Sequence, residues 1–219
     1  MDHALLGLLP APQRLALAYA PRQARPAWLA LLALDARLGQ QVRVQREPIL
    51  TQLRLAWWRE RLNEPAGHWP KGEPLLEALS VWQGEYGSLT ALVDGWEELL
   101  GDAPLSFAKL ENFVAGRAVA FQTLARVLGR ADAENAAHRA GEGWAIADLA
   151  AHVTHPEERA GAMTLAKGHD WRRPRLPREL RPLSILHGLS ARAILRKDPG
   201  TIGGRGDFFV ALRLGILGL

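Results

Sequence analysis

Leucine, alanine and tryptophan recur along this chain at spacings of three and four, and apolar residues almost nowhere alternate with polar ones for more than a few positions. Side chains three and four apart share one face of an α-helix, whereas a half-buried strand needs a period of two. That pattern predicts an all-α fold. Proline and glycine cut it into helices read at 13–20, 26–44, 48–63, 74–83, 88–100, 106–128, 132–153, 156–167, 179–197 and 207–217. Pro26, Pro48, Pro74 and Pro156 suit a first helical turn, and Ser106 suits an N-cap. The stretch KGHDWRRPRLPREL, 167–180, reads as a loop because of its two prolines and its charge.

The chain has 219 residues, 48% of them apolar and 23% charged, enough for one self-sufficient core, so a single domain over 1–219 is expected. There is no cysteine, which excludes disulfides, thiolate nucleophiles and iron–sulfur ligation and favours a cytoplasmic location. The apolar start carries Asp2 in place of a basic region and meets Pro10 and Pro12, so no signal peptide is expected. No apolar run approaches the roughly 20 residues that a membrane span requires. Residues 60–102 hold nine acids against two basic residues, and 159–219 hold twelve basic residues against four acids. The basic C-terminal end suits either a peripheral membrane or protein contact, or simply solvated helix faces. It has no recognition helix or aromatic platform, so nucleic acid is not expected as a partner.

The segment QLRLAWWRERL, 52–62, packs two tryptophans among three arginines. On a helical wheel Leu53, Leu55, Trp57, Trp58 and Leu62 span one broad apolar arc, and Arg54 and Arg61, seven apart, fall near its middle. Two guanidinium groups are thereby expected to point inward, where each needs a carboxylate or an anion. The carboxylate reading names Asp35, Asp94 and Asp148, acids in mostly apolar helical contexts. The anion reading makes the arginines face a cavity for a phosphate-bearing ligand.

The longer segment EPILTQLRLAWWRERL, 47–62, resembles a helix of the squalene/phytoene synthase family, in particular the branch with the mitochondrial complex I assembly factor and its bacterial relatives. RLALAYAPRQARPAWLALLALDARL, LVDGWEELLGDAPLSFAKLENFVAGRAVAFQTLARVLG and LPRELRPLSILHGLSARAIL extend the resemblance over most of 14–195. It implies an isoprenoid-synthase-like helical bundle around a central cavity. Active members of that family join two prenyl diphosphates head to head, with Mg²⁺ held by two aspartate-rich motifs. Here DARLGQQVRV offers Asp35, but Gly39, Gln40 and Arg43 stand where acids would align. GEGWAIADLAAHVTHPEER offers Asp148, with His152 and Pro156 at the paired positions.

The resemblance with these departures implies a non-catalytic protein that binds a protein partner or a lipid-like ligand, with respiratory-complex assembly as the concrete role and no cofactor. Asp35, Arg43, Arg54, Arg61, Asp94 and Asp148 are its expected cavity-facing residues, with no catalytic residue and no metal ligand assigned. The alternative is a divergent prenyl transferase that holds diphosphate mainly through Arg43, Arg54 and Arg61, with Mg²⁺ implied only in that case. Other constellations carry less. His152 and His155 precede Glu157 and Glu158, but Pro156 interrupts any shared metal geometry. GTIGGRGD, 200–207, lacks the Lys-Ser/Thr of a phosphate loop, and no serine sits in a nucleophile elbow.

Overall fold

The computed structural model describes residues 2–44 and 47–196. Among them it has ten α-helices, joined by short 3-10 turns and loops, and no strand. In chain order these are α1 (Asp2–Leu8), α2 (Ala11–Ala18), α3 (Arg25–Arg43), α4 (Pro48–Asn63), α5 (Pro74–Leu79), α6 (Thr90–Glu98), α7 (Phe107–Val127), α8 (Glu134–His152), α9 (Pro156–Gly168) and α10 (Arg181–Leu195). The expected helix at 207–217 lies outside the described residues.

The helix ends follow local chemistry. The Ser106 hydroxyl accepts from the Lys109 N–H, and His155 Nδ1 accepts from the Glu157 N–H ahead of Pro156. Gly129 closes α7 at φ +70, with the Arg130 N–H returning to the Ala125 carbonyl at 2.7 Å. Two differences from the sequence reading arise at such ends. Residues 2–8 are helical, because Pro10 and Pro12 open α2 and so leave α1 intact. The helices expected at 74–83 and 88–100 are shorter, with 3-10 turns at Ser80–Trp82 and Tyr86–Leu89 around left-handed Gln83 and Gly84.

Helix α7 is the central element, packed between α6 and α8, and α8 is covered in turn by α9 and α10. Every residue from Ala27 to Asp35 in α3 is buried. Where α6 and α7 cross, Gly95 meets Gly116, and a Cβ on Gly116 would stand 2.3 Å from the Ala91 carbonyl oxygen. Glycine is needed there for the two backbones to approach. Gly141 plays the same part between α8 and the Phe121 ring. Helix α3 packs on α6 and α7 in turn, so that α3, α6, α7 and α8 surround one space. Among the described residues no helix is long and apolar enough to cross a membrane.

Candidate functional site

A cavity of about 540 Å³ lies between the α1–α2 corner, α3 and α8. Its walls include Leu8, Pro10, Pro12, Ala36, Trp96 and Trp144, and its polar lining is Gln13, Asp35, Gln40, Arg43, Arg117, Asp148 and His152. At its inner end Arg117 of α7 bridges two carboxylates from opposite walls. Its Nε and Nη2 donate to Asp35 of α3 at 2.9 and 2.5 Å, and its Nη1 donates to Asp148 of α8 at 2.7 Å. The Arg117 side chain is 2% exposed, so it is charged in a place where an unpaired cation would be prohibitively costly.

The partners are saturated from several sides. Asp35 also accepts from Trp96 Nε1 at 2.9 Å and from Gln13 Nε2 at 3.4 Å. Asp148 accepts from Arg43 Nη2 at 3.0 Å, and His152 Nδ1 donates to the Asp148 carbonyl at 2.7 Å. The Arg117 guanidinium rests over the rings of Trp96, Phe113 and Trp144 at 5.2, 5.3 and 5.6 Å from their centroids. Burial works against both charges, yet the opposite charges outweigh it. Arg117 holds its proton more tightly than a free arginine because Asp35 and Asp148 face it. The Asp148 carboxyl is held well below the usual carboxylate range by Arg117, with His152 and Arg43 adding to the effect. The contact of His152 Nδ1 with the Asp148 carboxylate, at 3.2 Å, raises the His152 pKa in turn.

Gly39, one turn beyond Asp35, explains how Trp96 reaches the site. A Cβ at Gly39 would stand 2.9 Å from Trp96 Cη2, so the indole occupies the space that a side chain at position 39 would need. A smaller chamber of about 170 Å³ continues past Arg43, and both spaces share Arg43, Trp96, Asp148 and His152. Arg43 therefore stands between them. A divalent cation fits this donor set poorly. Both acids are already bridged by a guanidinium, position 39 is filled by Trp96, and among the described residues no three His, Asp or Glu side chains converge on a metal position.

The family model for squalene/phytoene synthase matches residues 13–167. The chain belongs to the squalene/phytoene synthase family. The matched span runs from α2 to α9 and so contains Asp35, Arg43, Arg117 and Asp148. Its fold is the isoprenoid-synthase all-α type of that family. No curated protein and no solved structure matched the chain.

Of the six residues expected at a cavity, the structure brings Asp35, Arg43 and Asp148 to it and places the other three elsewhere. Arg54 is exposed on α4. Arg61 is partly exposed and pairs with Glu64 at 2.9 Å. Asp94 is on the surface and accepts from Arg59 Nε at 2.7 Å. The error lies in the width of the apolar arc. The buried stripe of α4 is Thr51, Leu55, Trp58 and Leu62, whereas Leu53 is 61% exposed and Trp57 only partly buried. Counting Leu53 and Trp57 as core moved the centre of the arc by about 70° towards Arg54 and Arg61, which both lie to one side of the true stripe. Arg117 was not among the expected residues. Its signal was there, as a lone arginine inside the apolar helix FVAGRAVAF, but nothing local named its partners.

Proposed function

We propose that this protein is a non-catalytic member of the squalene/phytoene synthase family whose cavity binds an uncharged, lipid-like molecule. One observation carries the reading: Arg117 spans Asp35 and Asp148, and so supplies internally the positive charge that Mg²⁺ supplies in an active member. With Arg43 the inner end pairs two carboxylates with two guanidinium groups, a balance that suits a neutral guest better than a diphosphate of about three negative charges. The apolar walls provide the burial that a hydrocarbon body needs. The test is incubation of the purified protein with prenyl diphosphates and Mg²⁺. No diphosphate release above background is expected, and release abolished by Asp35→Ala would overturn the reading.

The branch that the sequence resembles supports a finer role, assistance to the assembly of a respiratory membrane complex. Deleting the protein in its own cell should then deplete the assembled complex on native gels and leave isoprenoid products unchanged; the reverse outcome refutes that role. A divergent prenyl transferase is the second reading, favoured by the partly exposed Arg43 guanidinium on the cavity wall. Of the three arginines on which it rests, only Arg43 lines the cavity. Calorimetry with pyrophosphate separates the two, since the transferase requires binding that weakens in Arg43→Ala.

A further inference from the structure

Helix α4 carries two apolar faces, and the described residues cover only one of them. Thr51, Leu55, Trp58 and Leu62 are buried against the core. At 100° per residue Ile49, Leu50, Leu53 and Trp57 form a second face, about 160° around the helix from the first. Ile49 is 73% exposed, Leu53 61% and Leu50 44%, and Val44 at the end of α3 is 60% exposed. Among the described residues seven large hydrophobic side chains are exposed to this degree, and these four are the ones grouped around a single corner. A scattered exposed leucine needs no explanation, whereas such a group marks a contact surface.

Two arginines complete the surface. Arg54 stands at the edge of the exposed face, and Arg37 of α3 lies across a shallow groove that also holds Leu50, Leu53, Trp57 and Glu73. Neither guanidinium makes a hydrogen bond or ion pair with any described residue, and Arg37 Nε is buried without a partner. Glu73 caps α5 through the Leu75 N–H, so the carboxylate in the groove is engaged locally. An adjoining hollow holds Gln40, Val44, Glu47, Leu50 and Arg54, and Gln40 and Val44 also line the cavity. The apolar corner therefore borders the cavity mouth.

We infer that α4 docks this protein peripherally on a bilayer containing anionic phospholipid. Ile49, Leu50, Leu53 and Trp57 enter the boundary between headgroups and acyl chains, and Arg37 and Arg54 meet the lipid phosphates. Charge complementarity selects this occupant, since Glu73 is engaged by the Leu75 N–H while the Arg37 and Arg54 guanidinium groups have no partner among the described residues. Unpaired guanidinium groups beside protruding aliphatic side chains, with an indole at the margin, are what an interfacial helix presents to lipid. None of these residues belongs to the basic C-terminal end, 159–219, for which the sequence suggests a membrane contact. Docking does not depend on what the cavity binds, so the two readings fail separately.

The experiment is flotation of the purified full chain with vesicles of phosphatidylcholine alone and of phosphatidylcholine mixed with phosphatidylglycerol. Wild type should float with the mixed vesicles and less with the neutral ones. Ile49→Ser/Leu53→Ser should reduce flotation roughly tenfold or more, by removing the inserted area. Arg37→Gln/Arg54→Gln should reduce binding to the anionic vesicles by about fivefold per arginine and remove most of the dependence on salt. Unchanged thermal unfolding of Ile49→Ser/Leu53→Ser shows that the loss is one of docking, since both side chains are exposed. Wild type that floats with neither vesicle overturns the inference, as does Ile49→Ser/Leu53→Ser floating like wild type. A self-associating wild type that becomes monomeric in Ile49→Ser/Leu53→Ser without any vesicle binding also overturns it, because a second copy then covers the face.

Discussion

Replacing Arg117 by methionine isolates the element that holds the cavity's inner end together. The substitution keeps much of the apolar stem and removes three charge-assisted hydrogen bonds, at 2.5, 2.7 and 2.9 Å. Asp148 keeps Arg43 and its contact with His152, but Asp35 is left with Trp96 Nε1 and Gln13 only, at 2% exposure. Breaking a buried ion pair from one side typically costs about 3–5 kcal/mol, a large part of the roughly 5–15 kcal/mol that holds a domain folded. The pH dependence has a definite sign. In wild type the depressed Asp148 contributes stability above the ordinary carboxylate range and loses it as pH falls through its lower folded value. In Arg117→Met the Asp148 carboxylate loses its strongest counter-charge while its burial remains, so the penalty is full at neutral pH and is relieved on acidification. Urea unfolding followed by circular dichroism should show a gap of about 3–5 kcal/mol at pH 7 that narrows at about pH 4.5. The combination Asp35→Asn/Arg117→Met/Asp148→Asn should recover most of the loss, because no fully buried charge is then stranded and Arg43, which loses Asp148, is partly exposed. A neutral-pH loss below about 1 kcal/mol, or a gap that widens on acidification, would refute the assignment of Arg117 as the internal counter-charge.

Gly39→Asp restores an acid one turn from Asp35, but its Cβ would meet Trp96 Cη2 at 2.9 Å. It should destabilise by about 1–3 kcal/mol and give no Mg²⁺-dependent rise in Tm, and such a rise in a thermal melt counts against the account of position 39. Burial, with His169 close by, lowers the pKa of His187 to about 4. A buried neutral histidine of this kind contributes stability that is complete above its unfolded pKa of about 6.5 and is lost as pH falls towards 4. His187→Gln should therefore flatten the stability profile between about pH 6.5 and 4.5 by roughly 2–3 kcal/mol, and an unchanged slope excludes His187 as the source.

The all-α fold and nearly every helix were legible in the amino-acid order, because periodicity, first-turn prolines and capping residues act over four or five neighbours. Helix α4 was read to the residue, Pro48–Asn63, by that means. Its orientation was not. An arc containing Leu53, Leu55, Trp57, Trp58 and Leu62 is equally apolar whether one side or two face the core, and only the packing of α4 on α6 settled that Thr51, Leu55, Trp58 and Leu62 are covered while Ile49 and Leu53 are not. The sequence alone singled out Asp35 and Asp148 as acids in apolar helices. What neutralises them was decided by tertiary structure, since Arg117 lies 82 residues from Asp35 and 31 from Asp148. The close approach of α7 and α8 at Gly141, with the packing of α3 on α6 and α7, places those three charges within hydrogen-bonding distance. Local propensity determines where helices begin and end; which charges meet is fixed by how closely the helices can approach.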